Sequence, residues 1–231
     1  MDIVQILRSL SVAALPILIA ITFHEVAHGW VADKRGDPTA KEMGRLTLNP
    51  IAHIDLMGTI IMPIMLFILS SGSFIFGSAK PVPVNFGRLK NPRVDAALVS
   101  AAGPGANIVI ATVSIVLIAV IARLYPSTHE ADSMFSKVLI PVEQMLRYSV
   151  YFNVFLAAFN LIPIPPLDGG RIVVSLLPYR QAYQYSRIEP YGILIVLALW
   201  VTGMAQYIIT PIQKVVQFLI GMILMPLGRI L

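Results

Sequence analysis

Long apolar runs alternate with short polar stretches along this chain, and that pattern limits its folds more than any other feature. A helix that crosses a bilayer needs about 20 apolar residues for a hydrocarbon core about 30 Å thick. Runs of this kind cover residues 10–30, 94–124 and 207–227. A fourth begins near Val142, breaks at Asn160-Leu161-Ile162-Pro163-Ile164-Pro165-Pro166 and resumes after Gly169-Gly170. Two shorter runs cover 56–69 and 191–202, and Thr202-Gly203-Met204 turns the second into the last long run as a hairpin. Of the 231 residues, 57% are hydrophobic and 13% charged, against about 25% charged in a soluble domain. Too little polar surface remains to coat a water-soluble particle. A soluble enzyme, a disordered chain and a fibrous repeat are therefore excluded. The expectation is an all-α polytopic membrane protein with about five to six transmembrane helices, one of them broken. It forms a single domain over 1–231, with a core over about 10–177 and a C-terminal helical hairpin over about 190–229.

The chain has no cysteine, which removes disulfides, thiolate ligands and cysteine nucleophiles together. Any metal must be held by His, Asp, Glu or carbonyl oxygens. The net charge of +5 reflects basic loops beside a membrane rather than a nucleic-acid partner. Lys34, Arg35, Lys41, Arg45, Lys80, Arg88, Lys90 and Arg93 lie between the first and third runs, and Arg180 and Arg187 follow the fourth. The positive-inside rule places these segments in the cytoplasm and the N-terminus outside. The first run is expected to be retained rather than cleaved as a signal. With both flanks of 56–69 in the cytoplasm, that segment cannot cross once. A helix over it reaches only about 21 Å, less than the core. It reads as a re-entrant element returning through 74–80; the alternative is a true span that puts Lys80 to Arg93 outside.

His24-Glu25-Val26-Ala27-His28 stands inside the first run. On a helix, positions i and i+4 share a face, so His24 and His28 can bind one zinc ion. Glu25 can then reach a water on that metal and take its proton. Ionisable groups in a span cost about 2.5–3.5 kcal/mol each, so three within one turn require a compensating partner. The alternative is a solvated helix end just outside the membrane, against which Trp30 and Val31 continue the apolar pattern. Catalytic zinc takes three protein ligands plus water. His129 lies in a loop placed outside and is set aside. Asp168, in Pro165-Pro166-Leu167-Asp168-Gly169-Gly170, is a lone carboxylate in an apolar stretch after a proline-enforced break. Non-helical backbone at membrane depth is tolerated only where it lines a cavity, and a metal is a natural partner for a carboxylate there. Asp168 could instead cap the following helix, and both roles can hold at once.

These motifs resemble the site-2 protease family of intramembrane zinc metalloproteases. The resemblance rests on His24-Glu25-Val26-Ala27-His28 in one span, Gly103-Pro104-Gly105-Ala106-Asn107 opening a later one, and Asn160-Leu161-Ile162-Pro163 through Leu167-Asp168-Gly169-Gly170. It implies peptide-bond hydrolysis within or beside transmembrane segments, one Zn2+ per chain, His24, His28 and Asp168 as ligands and Glu25 as general base. The expected type is the compact prokaryotic one, without a PDZ domain, a nucleotide-binding module or a span before the motif helix. The expected partners are transmembrane protein substrates in a lipid bilayer, with the active site toward the cytoplasmic side of a prokaryotic cell membrane. Adaptor and oligomeric state stay open.

Four further features carry two readings each. Asn160 could donate to the scissile carbonyl or oxyanion, or cap its own helix. Asn107 could bond across to the metal helix, while Gly103, Gly105 and Ala106 serve packing. His53 could act as a proton shuttle or extra ligand, or simply sit near the interface. Gly44-Arg45-Leu46-Thr47-Leu48 alternates between turn residues and reads as a strand, and 80–85 reads as extended. Together they suggest a small β-hairpin whose edge at Leu46, Thr47 and Leu48 either binds an extended substrate or is structural. Two rival functions follow from the same residues. A metal transporter would spread its ligands along a path through paired halves, and a silent relative would bind membrane segments without cutting them.

Overall fold

The computed structural model describes residues 3–69, 77, 79–124 and 136–224. Nine α-helices occur among the described residues: α1 (Ile3–Lys34), α2 (Thr39–Glu42), α3 (Met62–Leu69), α4 (Pro92–Leu124), α5 (Ser136–Asn160), α6 (Asp168–Leu176), α7 (Tyr179–Ser186), α8 (Glu189–Val201) and α9 (Ala205–Leu224). The centre is α4, which packs against α1, α5, α6 and α9, while α1 also lies along α5. With 33 residues, α4 is about 50 Å long and exceeds the hydrocarbon core. Its Pro104 and the Pro16 of α1 sit inside their helices, where neighbouring helices can compensate the lost bonds.

The surface is apolar and the interior partly polar. Leu15, Ile19, Phe23, Val109, Val113, Leu117, Ile193, Leu194 and Phe218 are exposed, whereas Thr22, His24, Ser100, Asn107, Ser114, Ser149 and Asn153 are buried. In water this would be costly. In lipid, tails solvate the outer face, and polar side chains join helices that have no hydrophobic drive to associate.

Two helices, Ser11–Lys34 and Pro92–Leu124, are long and apolar enough to cross a membrane; the α8–α9 pair, bent by 97° at its break, adds a third if it is one span. This is fewer than the five to six expected from the apolar runs. The physical reason lies in α5, where Lys137, Glu143 and Arg147 dilute the apolar character, and in the short 56–69 segment. That segment consists of a π-helical turn, Leu56–Ile61, followed by α3. Its flanks meet: the Lys80 N–H donates to the His53 carbonyl at 2.9 Å.

No strand occurs among the described residues, so the expected β-hairpin is not formed. Residues 45–49 and 80–85 are both irregular and form no ladder. Pro81 and Pro83 have no N–H, which removes the donors a ladder needs. Side chains join the two segments instead. His53 Nε2 bonds the Thr47 carbonyl at 2.8 Å, and Arg45 Nη2 donates to the Lys80 carbonyl at 3.1 Å. Buried Asp37 ties the end of α1 to the following loops. It accepts from the Thr39 N–H at 3.1 Å, the Thr39 hydroxyl and the Asn85 N–H at 2.6 Å. Asp95 pairs with Arg35 at 3.7 Å and accepts from the Asn91 N–H at 2.7 Å.

Candidate metal centre

One helical turn separates His24 from His28 on α1, and their rings meet edge to face with centroids 4.7 Å apart. The α4 backbone lies directly beneath them at Gly103. A Cβ there would overlap both imidazoles, so Gly103 is what lets α4 approach the histidines, while a Cβ at Gly105 would meet nothing. Asp168 arrives from the far side of the fold. The fourth apolar run stops at Asn160, and residues 161–167 form a compact break before α6 begins at Asp168 itself. The cap position is Leu167, which makes no side-chain capping bond, so Asp168 is the first helical residue rather than the cap. Its place in the first turn favours a carboxylate electrostatically.

Close backbone contacts hold the break. A Cβ on Gly169 would strike the Leu161 carbonyl, one on Gly170 the Ile164–Pro165 backbone, and one on Gly192 of α8 the Pro165 carbonyl. From α7, the Tyr185 hydroxyl donates to the Pro163 carbonyl. Arg171 turns away from Asp168. It pairs with Glu189 at 3.5 Å and lies over the Phe86 ring.

Three ligand atoms converge. His24 Nε2 and His28 Nε2 are 3.2 Å apart, and Asp168 Oδ2 is 3.3 Å from each. The protonation pattern follows from their outer partners. His28 Nδ1 lies 2.7 Å from the Val99 carbonyl, which can only accept. Asn107 donates through Nδ2 to the Ala20 carbonyl at 3.2 Å, so its Oδ1 is the atom 2.7 Å from His24 Nδ1. Both Nδ1 atoms therefore carry a proton, and in the neutral imidazoles both Nε2 atoms present lone pairs. Asp168 Oδ2 is buried without a hydrogen-bond partner. Two lone pairs and a carboxylate oxygen facing one another require a cation. Ligand atoms about 2.0–2.1 Å from a tetrahedral zinc lie about 3.3–3.4 Å from one another, so the spacing and the N2O donor set fit zinc. Among the described residues no fourth His, Cys, Asp or Glu joins the group, which leaves a coordination position open, as in catalytic sites.

Glu25, next to His24, accepts from the Val82 N–H at 2.8 Å through Oε2. Val82 is itself buried, lodged against Gly29 with Leu46 and Ala40. Segment 80–85 thus lies over the motif helix. The other candidate residues make their bonds outside the ligand group. Asn160 Nδ2 donates to the Leu156 carbonyl at 3.0 Å, a bond within its own helix. His53 is buried, 2% exposed, and joins the 45–49 and 80–85 segments rather than the metal group. Leu46, Thr47 and Leu48 have no regular structure and no partner strand among the described residues. His129 lies outside the described residues, as does most of the 74–80 return.

Asn153 and Val82 escaped the sequence reading. Asn153 had a usable signal, a lone amide in an apolar run, identical in kind to that of Asn107. Val82 had only an indirect one: between Pro81 and Pro83 it supplies the sole backbone N–H.

Residues 12–203 match peptidase family M50. The chain is 39% identical over 197 residues to "Putative zinc metalloprotease YwhC" of Bacillus subtilis (strain 168), covering 85% of this chain and 83% of the relative. It is 27% identical over 186 residues to Rip2 of Mycolicibacterium smegmatis, which carries the same designation, covering 80% of this chain and 64% of that one. Over 156 residues it is 31% identical to Rip2 of Mycobacterium tuberculosis (strain ATCC 25618 / H37Rv), covering 66% of this chain and 52% of the relative. No solved structure matches the chain. A family match across most of the sequence, with a motif helix, a glycine-cradled crossing and a convergent His24–His28–Asp168 group, means that the chain belongs to peptidase family M50, the site-2 protease family of membrane metalloproteases.

Proposed function

We propose that this protein is a zinc-dependent intramembrane endopeptidase that hydrolyses peptide bonds in or next to transmembrane segments of membrane proteins. The observation that carries the reading is the meeting of His24 Nε2, His28 Nε2 and Asp168 Oδ2 within 3.3 Å, with both histidines on a helix apolar enough to span a bilayer. The curated relatives named as zinc metalloproteases support the choice of metal.

In this reading His24, His28 and Asp168 hold one zinc ion per chain. When bound, zinc polarises the scissile carbonyl and makes a water nucleophilic at neutral pH. Glu25 takes a proton from the attacking water and returns it to the leaving amine as the C–N bond breaks. The Val82 N–H steadies one oxygen of Glu25 and leaves the other for the water. Asn160 keeps a second amide hydrogen beyond its bond to Leu156, and that hydrogen is the donor an oxyanion would take. The unpaired 45–49 segment, with Leu46, Thr47 and Leu48, is the edge on which a stretched substrate would lie.

The proposed topology has the centre near the cytoplasmic face of a prokaryotic cell membrane. Lys34, Arg35, Lys90 and Arg93 gather at the end of the bundle where α1 finishes and α4 begins, about 9 Å beyond His28 along α1. The contact between His53 and Lys80 supports a 56–69 element that leaves and returns on one side. The broken fourth run and the α8–α9 hairpin supply the remaining membrane passages.

A substrate helix must unwind to present its carbonyl, and each peptide group left unsatisfied in lipid costs several kcal/mol. Purified wild-type protein should hold zinc and cut a transmembrane peptide in bilayers. Glu25→Gln should hold the same zinc and cut nothing, because an amide cannot accept the proton. Cleavage by Glu25→Gln near the wild-type rate refutes the assignment of the base. Replacing Gly or Asn near the cut by Leu should slow turnover, and indifference to substrate helix strength in bilayers refutes intramembrane unwinding as the limiting step.

A further inference from the structure

Behind the ligand pair, a line of side-chain amides runs from α1 through α4 into α5. His24 Nδ1–H donates to Asn107 Oδ1 at 2.7 Å. Asn107 spends both amide hydrogens, one on the Ala20 carbonyl at 3.2 Å and one on Asn153 Oδ1 at 2.8 Å. Asn153 in turn donates to the Ser149 carbonyl at 2.8 Å and lies 3.3 Å from the Ser149 hydroxyl. Asn107 and Asn153 are both 0% exposed. Their donors and acceptors are matched throughout, which is the condition under which a buried polar chain specifies one arrangement.

The direction of this chain is fixed at its far end. The Ser149 carbonyl only accepts, so Asn153 must present Nδ2 to it and Oδ1 to Asn107. That sets Asn107 with Nδ2 toward Asn153 and Oδ1 toward His24. The proton then sits on His24 Nδ1, and Nε2 keeps the lone pair a metal needs. Two acceptors hold the Asn107 amide, the Ala20 carbonyl at 3.2 Å and Asn153 Oδ1 at 2.8 Å; without the shorter bond only the longer one opposes a turn of the amide. Turned over, Asn107 would present N–H groups to His24 Nδ1 and drive the proton to Nε2, which cannot ligate.

We propose that Asn153, acting through Asn107, is a positioning residue that selects the metal-binding tautomer of His24. The role assigned to Asn153 rests on the zinc reading above and extends it to a residue two contacts from the metal group. His28 needs no such relay, because its Nδ1 bonds a main-chain carbonyl that cannot turn over.

The test uses full-length protein in detergent, with zinc affinity read by chelator competition. The metal-free protein, labelled with 15N-histidine, gives the tautomer of His24, one of four histidines. Asn153→Leu should weaken zinc about 10- to 100-fold and move the His24 proton toward Nε2. Asn153→Asp, protonated in this buried place, keeps the acceptor for Asn107 and a donor for the Ser149 carbonyl, and should weaken zinc less than Asn153→Leu does. Asn107→Leu, which removes the His24 acceptor directly, should match Asn153→Leu and serves if that variant does not fold. Ser114→Ala removes the 2.8 Å Ser114–Ser149 bond at the same α4–α5 contact while leaving every bond of Asn107 and the Asn153 bond to the Ser149 carbonyl in place, and should leave both readouts unchanged. Wild-type affinity and tautomer in Asn153→Leu overturn the proposal, as does an equal loss in Ser114→Ala, which would make the chain mere helix packing. If His24→Ala retains full zinc affinity, the metal reading fails, while the tautomer measurement still decides whether Asn153 orients His24.

Discussion

The α1–α4–α5 crossing and the α8–α9 pair are both helix packings in one protein, built with opposite materials. At the crossing, His24, Asn107, Asn153, Ser114 and Ser149 are buried and bonded to one another. Where α9 meets the bundle, Ala111, Val154, Ala157, Val216 and Ile220 form one apolar cluster and Ala158, Ile162, Ala205 and Ile209 another. Apolar side chains gain little by leaving lipid for another apolar surface, so the second packing rests on shape. The first rests on hydrogen bonds that have one correct arrangement. The polar crossing should therefore fix ligand geometry tightly, while the hairpin tolerates change. Gly192 of α8 lies against the Pro165 carbonyl in the break that leads to Asp168, a backbone contact that ties the hairpin to the metal group.

Gly103→Ala should have the largest effect. Its methyl has no space beside His24 and His28, so zinc affinity should fall by about 100-fold or more, beyond the range of outer-shell changes. Metal analysis after dialysis checks this; stoichiometric zinc would mean that α4 does not cradle the ligands. Val82→Pro comes next. It removes the N–H that holds Glu25 and should lower turnover about tenfold, below the full range for general-base catalysis, with zinc content unchanged. Loss of zinc in that variant would show that the segment supports the whole site rather than Glu25.

Gly192→Ala tests the link between the regions. Overpacking against a backbone oxygen costs about 1–3 kcal/mol, and the displaced break should weaken zinc only a few-fold. Denaturant unfolding and chelator competition read the two effects, and a zinc loss as large as that of Gly103→Ala would erase the distinction between the regions. The smallest effect belongs to Val216→Ala in the apolar cluster. It should cost about 1 kcal/mol of packing and leave zinc affinity and turnover unaltered.

Sequence alone fixed whatever depends on local spacing. His24, Glu25 and His28 fall on one helix because 3.6 residues make a turn, and the apolar runs mark α4, α8 and α9 to within a few residues. The prolines before Asp168 marked the break, because proline cannot continue the helical hydrogen bonds. Alternation at 44–48 misled, since a strand needs a partner with free N–H groups and Pro81 and Pro83 withhold them. Only the tertiary structure brought Asp168 to the two histidines, set Val82 against Glu25, closed 53 onto 80 and lined Asn153 behind Asn107. Each of these joins residues far apart in the chain. No local period encodes such a meeting; it depends on which helices cross, at which glycine, and on which way a buried amide must face to satisfy its neighbours.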